Sequence, residues 1–204
     1  TWNGHFRDDV RRFWKGDENT AWNIKDKIVG SPELYEKYSS CTKSINFITS
    51  HDGFTLKDLV SFNVKHNFAN REQNKDGENN NNSWNHGIEG PSTNIEINQL
   101  RNRQQRNLLF TLLFSRGVPM ILMGDEIGRS QGGNNNVWCQ NNPLGFMNWE
   151  NEYQDQELLA FTKSLIKLRR KYIDFIYPIN ISNELYEYHW HGIDTEKPDW
   201  SSWS

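Results

Sequence analysis

The chain has 204 residues and a formal net charge of -3, with 23 Lys and Arg against 26 Asp and Glu. The basic residues are spread rather than gathered in a stripe, which argues against a nucleic-acid partner, and no apolar run is long enough to cross a membrane. The first residue is Thr1 rather than Met and no secretory leader is legible, so a cut or processed N-terminus is expected.

The first pattern is helical. Phe6, Val10, Phe13 and Trp14 fall at i, i+4, i+7 and i+8, with Gly16 near the stop. Arg7, Asp8, Asp9 and Arg11 read as the solvated face of that helix. Residues 21–29 predict a second short helix, broken by Gly30, Ser31 and Pro32, with room for one more turn at 32–35. Residues 44–53, SINFITSHDG, then read as a short buried strand that ends in a polar pair. Apolar spacing over 54–60 predicts a helix capped by Thr55. His51 and Asp52 thus stand where a strand ends and a loop enters a helix. In α/β proteins the strand ends open into one crevice, and chemistry is placed there. The bland alternative is an Asp that caps the next helix over a His packed beneath it.

Residues 63–94 form a long loop rich in Asn, including Asn67, Asn70, Asn74 and the run 79–82. Such a loop is either functional or disordered; the Asn run argues for disorder, while Phe68, Trp84 and Ile88 argue for packing. Residues 95–116 predict a helix with Ile97, Leu100, Gln104, Leu108, Thr111, Leu112 and Phe114 on its inner face. Gly117 and Pro119 end it. Residues 120–123, MILM, predict a strand buried on both faces, followed by Gly124, Asp125 and Glu126. A second Asn/Gly loop follows, with Asn134, Asn135 and Asn136 and the aromatics Trp138, Phe146 and Trp149. Leu158, Leu159, Phe161, Thr162, Leu165, Ile166 and Leu168 predict a last helix, with Arg169, Arg170 and Lys171 at its negative end. The tail alternates through Tyr186, Tyr188 and Trp190 like the first strand of a β-rich module.

Strand, loop, helix in alternation predict a parallel sheet with covering helices. The two strands read here leave sheet edges that need partners, so the chain is expected to be a piece of a larger barrel or sheet. Cys41 and Cys139 are far apart and read as free thiols of a reducing compartment. Nine Trp at a mean hydropathy of -0.88 place aromatics amid polar surface, which suits a wet cleft as well as a core.

The stretch SINFITSHDGFTLKDL resembles the fourth conserved region of the α-amylase superfamily in its isoamylase and glycogen-debranching branch. Three other stretches agree with that branch: WNGHFRDDVRRFWKGD from Trp2, NKDGENNNNSWNHGIEG from Asn74, and GVPMILMGDEIGRSQGGNNNVWCQNN from Gly117. The tail, from His191 to Ser201, resembles the opening of the branch's C-terminal β-sandwich. The resemblance implies an α/β fold: the C-terminal portion of a (β/α)8 TIM barrel, about strands six to eight, over residues 1–175. The start of an all-β sandwich domain follows at 176–204. It implies a glycoside hydrolase that cleaves α-1,6 branch linkages in glycogen, amylopectin or limit dextrins with retention. The nucleophile Asp and the acid/base Glu are then expected upstream of Thr1.

Within that resemblance His51 binds a substrate hydroxyl and Asp52 stabilises the transition state. Trp84, Trp138, Asn134, Asn135, Asp125 and Glu126 are candidates for substrate contact. A Trp ring offers a flat apolar face to a sugar, and an Asn amide offers both donor and acceptor. For each there is a structural alternative: packing beneath its own loop for the Trp residues, satisfying the turn for the Asn residues, a cap and Arg partner for Asp125 and Glu126. The branch is expected to have Asp after Cys-Gln, where this chain has Asn141. No cofactor or metal is expected, nor a nucleic-acid or membrane partner. The compartment expected is the cytoplasm, or the plastid stroma in a photosynthetic source. A non-catalytic glucan-binding subunit of the same branch is the alternative.

Overall fold

Asn3 shows how the first strand hands over to the first helix. Its backbone ends β1 (Trp2–Asn3), and its Oδ1 accepts from Phe6 N at 2.9 Å as the cap of α1 (Gly4–Lys15). Its amide donates to Ser31 Oγ and Ser44 Oγ, both at 2.9 Å, which ties the junction to the next two connections. The computed structural model describes residues 1–35, 44–150, 154–173 and 190. After α1 come α2 (Ala21–Ile28), α3 (Pro32–Tyr35), β2 (Ile45–Phe47) and α4 (Leu56–Leu59). The long helix α5 (Ile95–Phe114), β3 (Val118–Met120) and α6 (Gln156–Lys171) follow.

The three strands make one parallel sheet in the order β1-β2-β3, so order in space follows order in sequence. Trp2 pairs with Ile45, and Ile45 in turn with Val118. The helices cover this sheet with one apolar cluster. Phe6 and Val10 come from α1, Ile24 from α2, Leu56 and Leu59 from α4, Leu108, Leu109, Leu112 and Leu113 from α5, and Leu158 and Leu165 from α6. Each such side chain contributes about 1.5–3 kcal/mol by leaving water. The predicted helices lie where the spacing puts them, and Thr55 Oγ1 caps α4 by accepting from Asp58 N at 3.2 Å.

Three expectations are corrected, and one element has no sequence signal: β1, because two residues carry no alternation. The strand read at 120–123 lies instead at Val118–Met120, and it is not buried on both faces: Val118 is 49% exposed and Met123 56% exposed. Arg11 is not part of a solvated face. It is buried, and donates from Nε to Ile48 O at 2.8 Å and from Nη1 to Asn81 O at 2.9 Å. On α5 the inner face of the first turns is Arg101 and Gln105 rather than Ile97 and Leu100. Arg101 is held there because its guanidinium donates to the carbonyls of Asn85, Ile88 and Gly90 and so fastens the loop before the helix. Cys139 is exposed and free; Cys41 and the predicted β-rich tail, apart from Trp190, lie outside the described residues.

The Asn-rich loop is ordered by its own amides. Asn67 donates to Asn135 Oδ1 at 2.8 Å and accepts from Asn135 N at 3.0 Å; Asn134 donates to Asn70 Oδ1 at 2.8 Å. One carboxylate oxygen of Asp76 takes bonds from Asn67, Asn70 and Asn136 at 2.7–3.3 Å. Lys65, 8% exposed, donates from its ammonium to the carbonyls of Lys75, Asp76 and Gly77. At Gly77 the φ is +73°, and a Cβ would stand 2.3 Å from Asn135 Oδ1, so both the turn and the close approach require glycine.

A buried acid closes the same gap from α4. Asp58 accepts from Ser130 Oγ and from Gln131 N at 2.7 Å, and thereby pins the loop after β3 to the helix after β2. Burial raises its pKa, and the bonds from Ser130 and Gln131 oppose that shift. Asp58→Ala strips two donors of their acceptor. The expected loss is about 2–4 kcal/mol, from the roughly 1–3 kcal/mol that each unmet buried polar group costs. Asp58→Asn, which keeps an acceptor, is expected to lose less. Denaturant midpoints of the three proteins at neutral pH measure this, and an Asp58→Ala midpoint equal to wild type would refute it.

Candidate active site

The chain leaves β2 through Ile48 and Thr49, both buried, and then turns outward. His51 and Asp52 are solvent-facing, their side chains 70% and 80% exposed, with Nε2 and Oδ2 3.2 Å apart. The bland alternative therefore fails at this pair: the cap of α4 is Thr55, and His51 does not pack beneath a helix. Trp2, from the neighbouring strand, sets the edge of its ring against His51 at 5.9 Å and remains half exposed. Sequence pattern gives no sign of this place for Trp2, because a two-residue strand carries no alternation.

The ends of this loop are fixed from two sides. Arg11 of α1 holds Ile48 O. Asp125, just after β3, accepts from Thr49 Oγ1 with one oxygen and from Leu56 N at 2.9 Å with the other. At the tip, Gly53 N donates to Asn135 O at 3.0 Å. An exposed, acidic, hydrogen-bonding pair is thus carried on a loop whose backbone is held at both ends and at the tip. Such a pair can accept from ligand hydroxyl groups and can favour positive charge that develops nearby.

The other candidates divide. Asp125, Asn134 and Asn135 are 2%, 1% and 1% exposed, and their polar atoms are engaged by Thr49, Leu56, Asn70, Asn67, Glu78 and Asn81. The structure turns them inward, away from the direct sugar contact expected of them. Glu126 is half-buried and accepts from Gly124 N at 2.9 Å within its own turn. Trp84 is 39% exposed, with one face stacked on His86 at 4.2 Å; it stands by Trp14, Lys15 and Gln104 in the helical layer. Trp138 is 76% exposed and sits three residues beyond the Asn135 carbonyl that meets Gly53, so its loop adjoins His51 and Asp52. Trp149 is 72% exposed. Among the described residues no three His, Cys, Asp or Glu side chains gather as a metal site requires.

This arrangement, an exposed His–Asp pair at the C-terminal end of a parallel strand between helices, is that of an α/β protein. By sequence the chain matches a segment of the isoamylase and glycogen-debranching branch. It is 50% identical over 172 residues to the glycogen operon protein GlgX homolog of Mycobacterium tuberculosis, covering 84% of this chain and 24% of that protein. It is 44% identical over 204 residues to chloroplastic isoamylase 1 of Arabidopsis thaliana, covering 100% and 26% respectively. With the glycogen debranching enzyme of Dickeya chrysanthemi it shares 52% identity over 170 residues, 83% of this chain and 26% of that one. The chain thus spans about a quarter of the length of these relatives. No protein-family model matches it. Its fold is that of a segment of pullulanase. The enzyme from Bacillus acidopullulyticus superposes with a TM-score of 0.61 at 22% identity, over 86% of this chain and 19% of that one. Pullulanase from Anoxybacillus sp. LM18-11, complexed with maltotetraose, gives 0.58 at 23% identity, over 83% and 21%.

Electrostatics mark Asp125 within this frame. Burial pushes its carboxyl up to about 7, against the bonds from Leu56 and Thr49; the charge of Glu126 adds to the rise and that of Arg11 opposes it. Its folded pKa is raised, so the stability tied to it is fully present below the unfolded value of about 4 and is lost as pH rises toward 7. In Asp125→Asn this pH-dependent loss is absent. The stability of wild type minus that of the variant should fall between pH 4 and pH 7 and then level off. Denaturant midpoints across that range are the measurement; a difference that grows with pH would contradict the burial assigned to this carboxyl.

Proposed function

We propose that the chain forms part of the catalytic barrel of a retaining glycosidase that hydrolyses α-1,6 branch linkages in glycogen- or starch-type glucans. The observation that carries the reading is the His51–Asp52 pair, exposed and unused by the fold, at the exit of the central parallel strand. The strand order fits the barrel, since parallel strands laid side by side in sequence order wind in one direction, as in a (β/α)8 wall. The relatives support the substrate, since their names are those of isoamylases and glycogen debranching enzymes.

The chemistry gives the pair its roles. In retaining hydrolysis the sugar passes through an oxocarbenium-like state, and hydrogen bonds to its 2-OH strengthen as it forms. Asp52 accepts such a bond in charge-assisted form and stabilises the cationic ring; His51 binds a neighbouring hydroxyl. Trp2, whose ring meets His51, offers an apolar face for the glucan; the exposed Trp138, on the loop that meets Gly53, is a second candidate and Trp84 a third. The nucleophile and the acid/base carboxyls come from outside these residues. Glycogen, amylopectin or limit dextrins are the substrates, and the reaction proceeds without added metal or nucleotide.

In the complete enzyme, Asp52→Asn should lower turnover on a branched dextrin by roughly 100-fold or more, with a small change in KM, because the group acts on transition-state charge. His51→Ala should cost less. Reducing-end assays with chain-length analysis read both. A rise in KM alone for Asp52→Asn would overturn its role, and glucan binding without any hydrolysis would favour the non-catalytic subunit.

A further inference from the structure

Between Thr49 and Leu56 the chain makes a loop that carries both exposed groups of the candidate site, yet neither group anchors it. The anchors are backbone and hydroxyl contacts to a single carboxylate sixty-nine to seventy-six residues later in the chain: Thr49 Oγ1 on one Asp125 oxygen and Leu56 N on the other. Thr49 is 2% exposed, Leu56 0% and Asp125 2%, so the clamp lies beneath the loop and out of reach of a ligand. Above the clamp, Gly53 N donates to Asn135 O and Ser50 Oγ to Asp52 O. A group that accepts hydroxyl bonds must be held to about half an ångström to be effective, and a loop reaches that precision only through supporting contacts. A carboxyl serves here because it bonds two donors at once, and the bonds persist when it takes up a proton: one oxygen still accepts from Leu56 while its O–H donates to Thr49.

We propose that Asp125 is a positioning residue for the reaction, setting His51 and Asp52 through Thr49 and Leu56 without touching substrate. This rests on the reading of His51 and Asp52 as the sugar-facing pair.

The test uses the complete enzyme with Thr49→Val, which keeps shape and removes the donor, and Thr49→Ser, which restores it. Thr49→Val should lower kcat on a branched dextrin about 10-fold or more and leave KM within about twofold. Thr49→Ser should return kcat to within about twofold of wild type. In an Asp52→Asn background Thr49→Val should cost clearly less than in wild type, because the Asp52 share of the route has already been removed and only the share through His51 remains. An equal loss in both backgrounds, a loss confined to KM, or no recovery with Ser would overturn the proposal. Amide exchange separates this from the reading beneath it. If Asp52→Asn proves silent, the sugar-facing role fails, and the clamp is judged alone: Thr49→Val should speed exchange at Gly53 and Leu56 and leave α6 unchanged. Unchanged exchange at those two amides would overturn the clamp as well.

Discussion

Two buried carboxylates exchange places across the gap between β2 and β3, and the upper part of the structure depends on that exchange. Asp125, from the loop after β3, holds Thr49 and Leu56 of the loop after β2. Asp58, from the helix after β2, holds Ser130 and Gln131 of the loop after β3. Taking a carboxyl out of water is costly, and the raised pKa of both groups reflects that cost. The arrangement is tolerated because each acid receives at least two hydrogen bonds with good partners, whereas one bond would leave an unmet oxygen in an apolar setting. Each loop is thereby a condition for the other's position.

The asparagine network extends this logic with neutral groups. An amide both donates and accepts, so Asn67 and Asn135, or Asn70 and Asn134, satisfy each other in pairs and leave few orphans. Asn also tolerates the left-handed backbone that sharp loops need, as at Asn74 with φ 61° and Asn82 with φ 49°. A long polar loop is thus fixed with little apolar burial of its own, and through Asn134 and Asn135 it is tied to the second loop, which meets Gly53 and carries the exposed Trp138.

The division of labour is by exposure. Residues that hold the site, Arg11, Asp58, Asp125, Asn134 and Asn135, are all buried, while His51, Asp52, Trp2 and Trp138 face solvent. Preorganised sites follow this plan because a ligand group aimed at solvent gains precision from supports that water does not reach.

Local pattern decided the helices. Periodicity placed α1, α2, α5 and α6, Thr55 was legible as a cap, and β2 followed from a β-branched apolar run stopped by polar residues. The position of His51 and Asp52 at a strand's end was legible for the same reason, since it depends only on neighbours in sequence. Tertiary structure alone decided the rest. β1 is two residues long and exists because β2 lies beside it. Arg11 and Arg101 look like surface charges until the carbonyls that satisfy them arrive from elsewhere, and Asp125, Asn134 and Asn135 look like ligand contacts until their partners do. Those partners stand from 11 to 76 residues away in the chain, a separation across which no local propensity acts; only the packed sheet brings them within hydrogen-bonding distance.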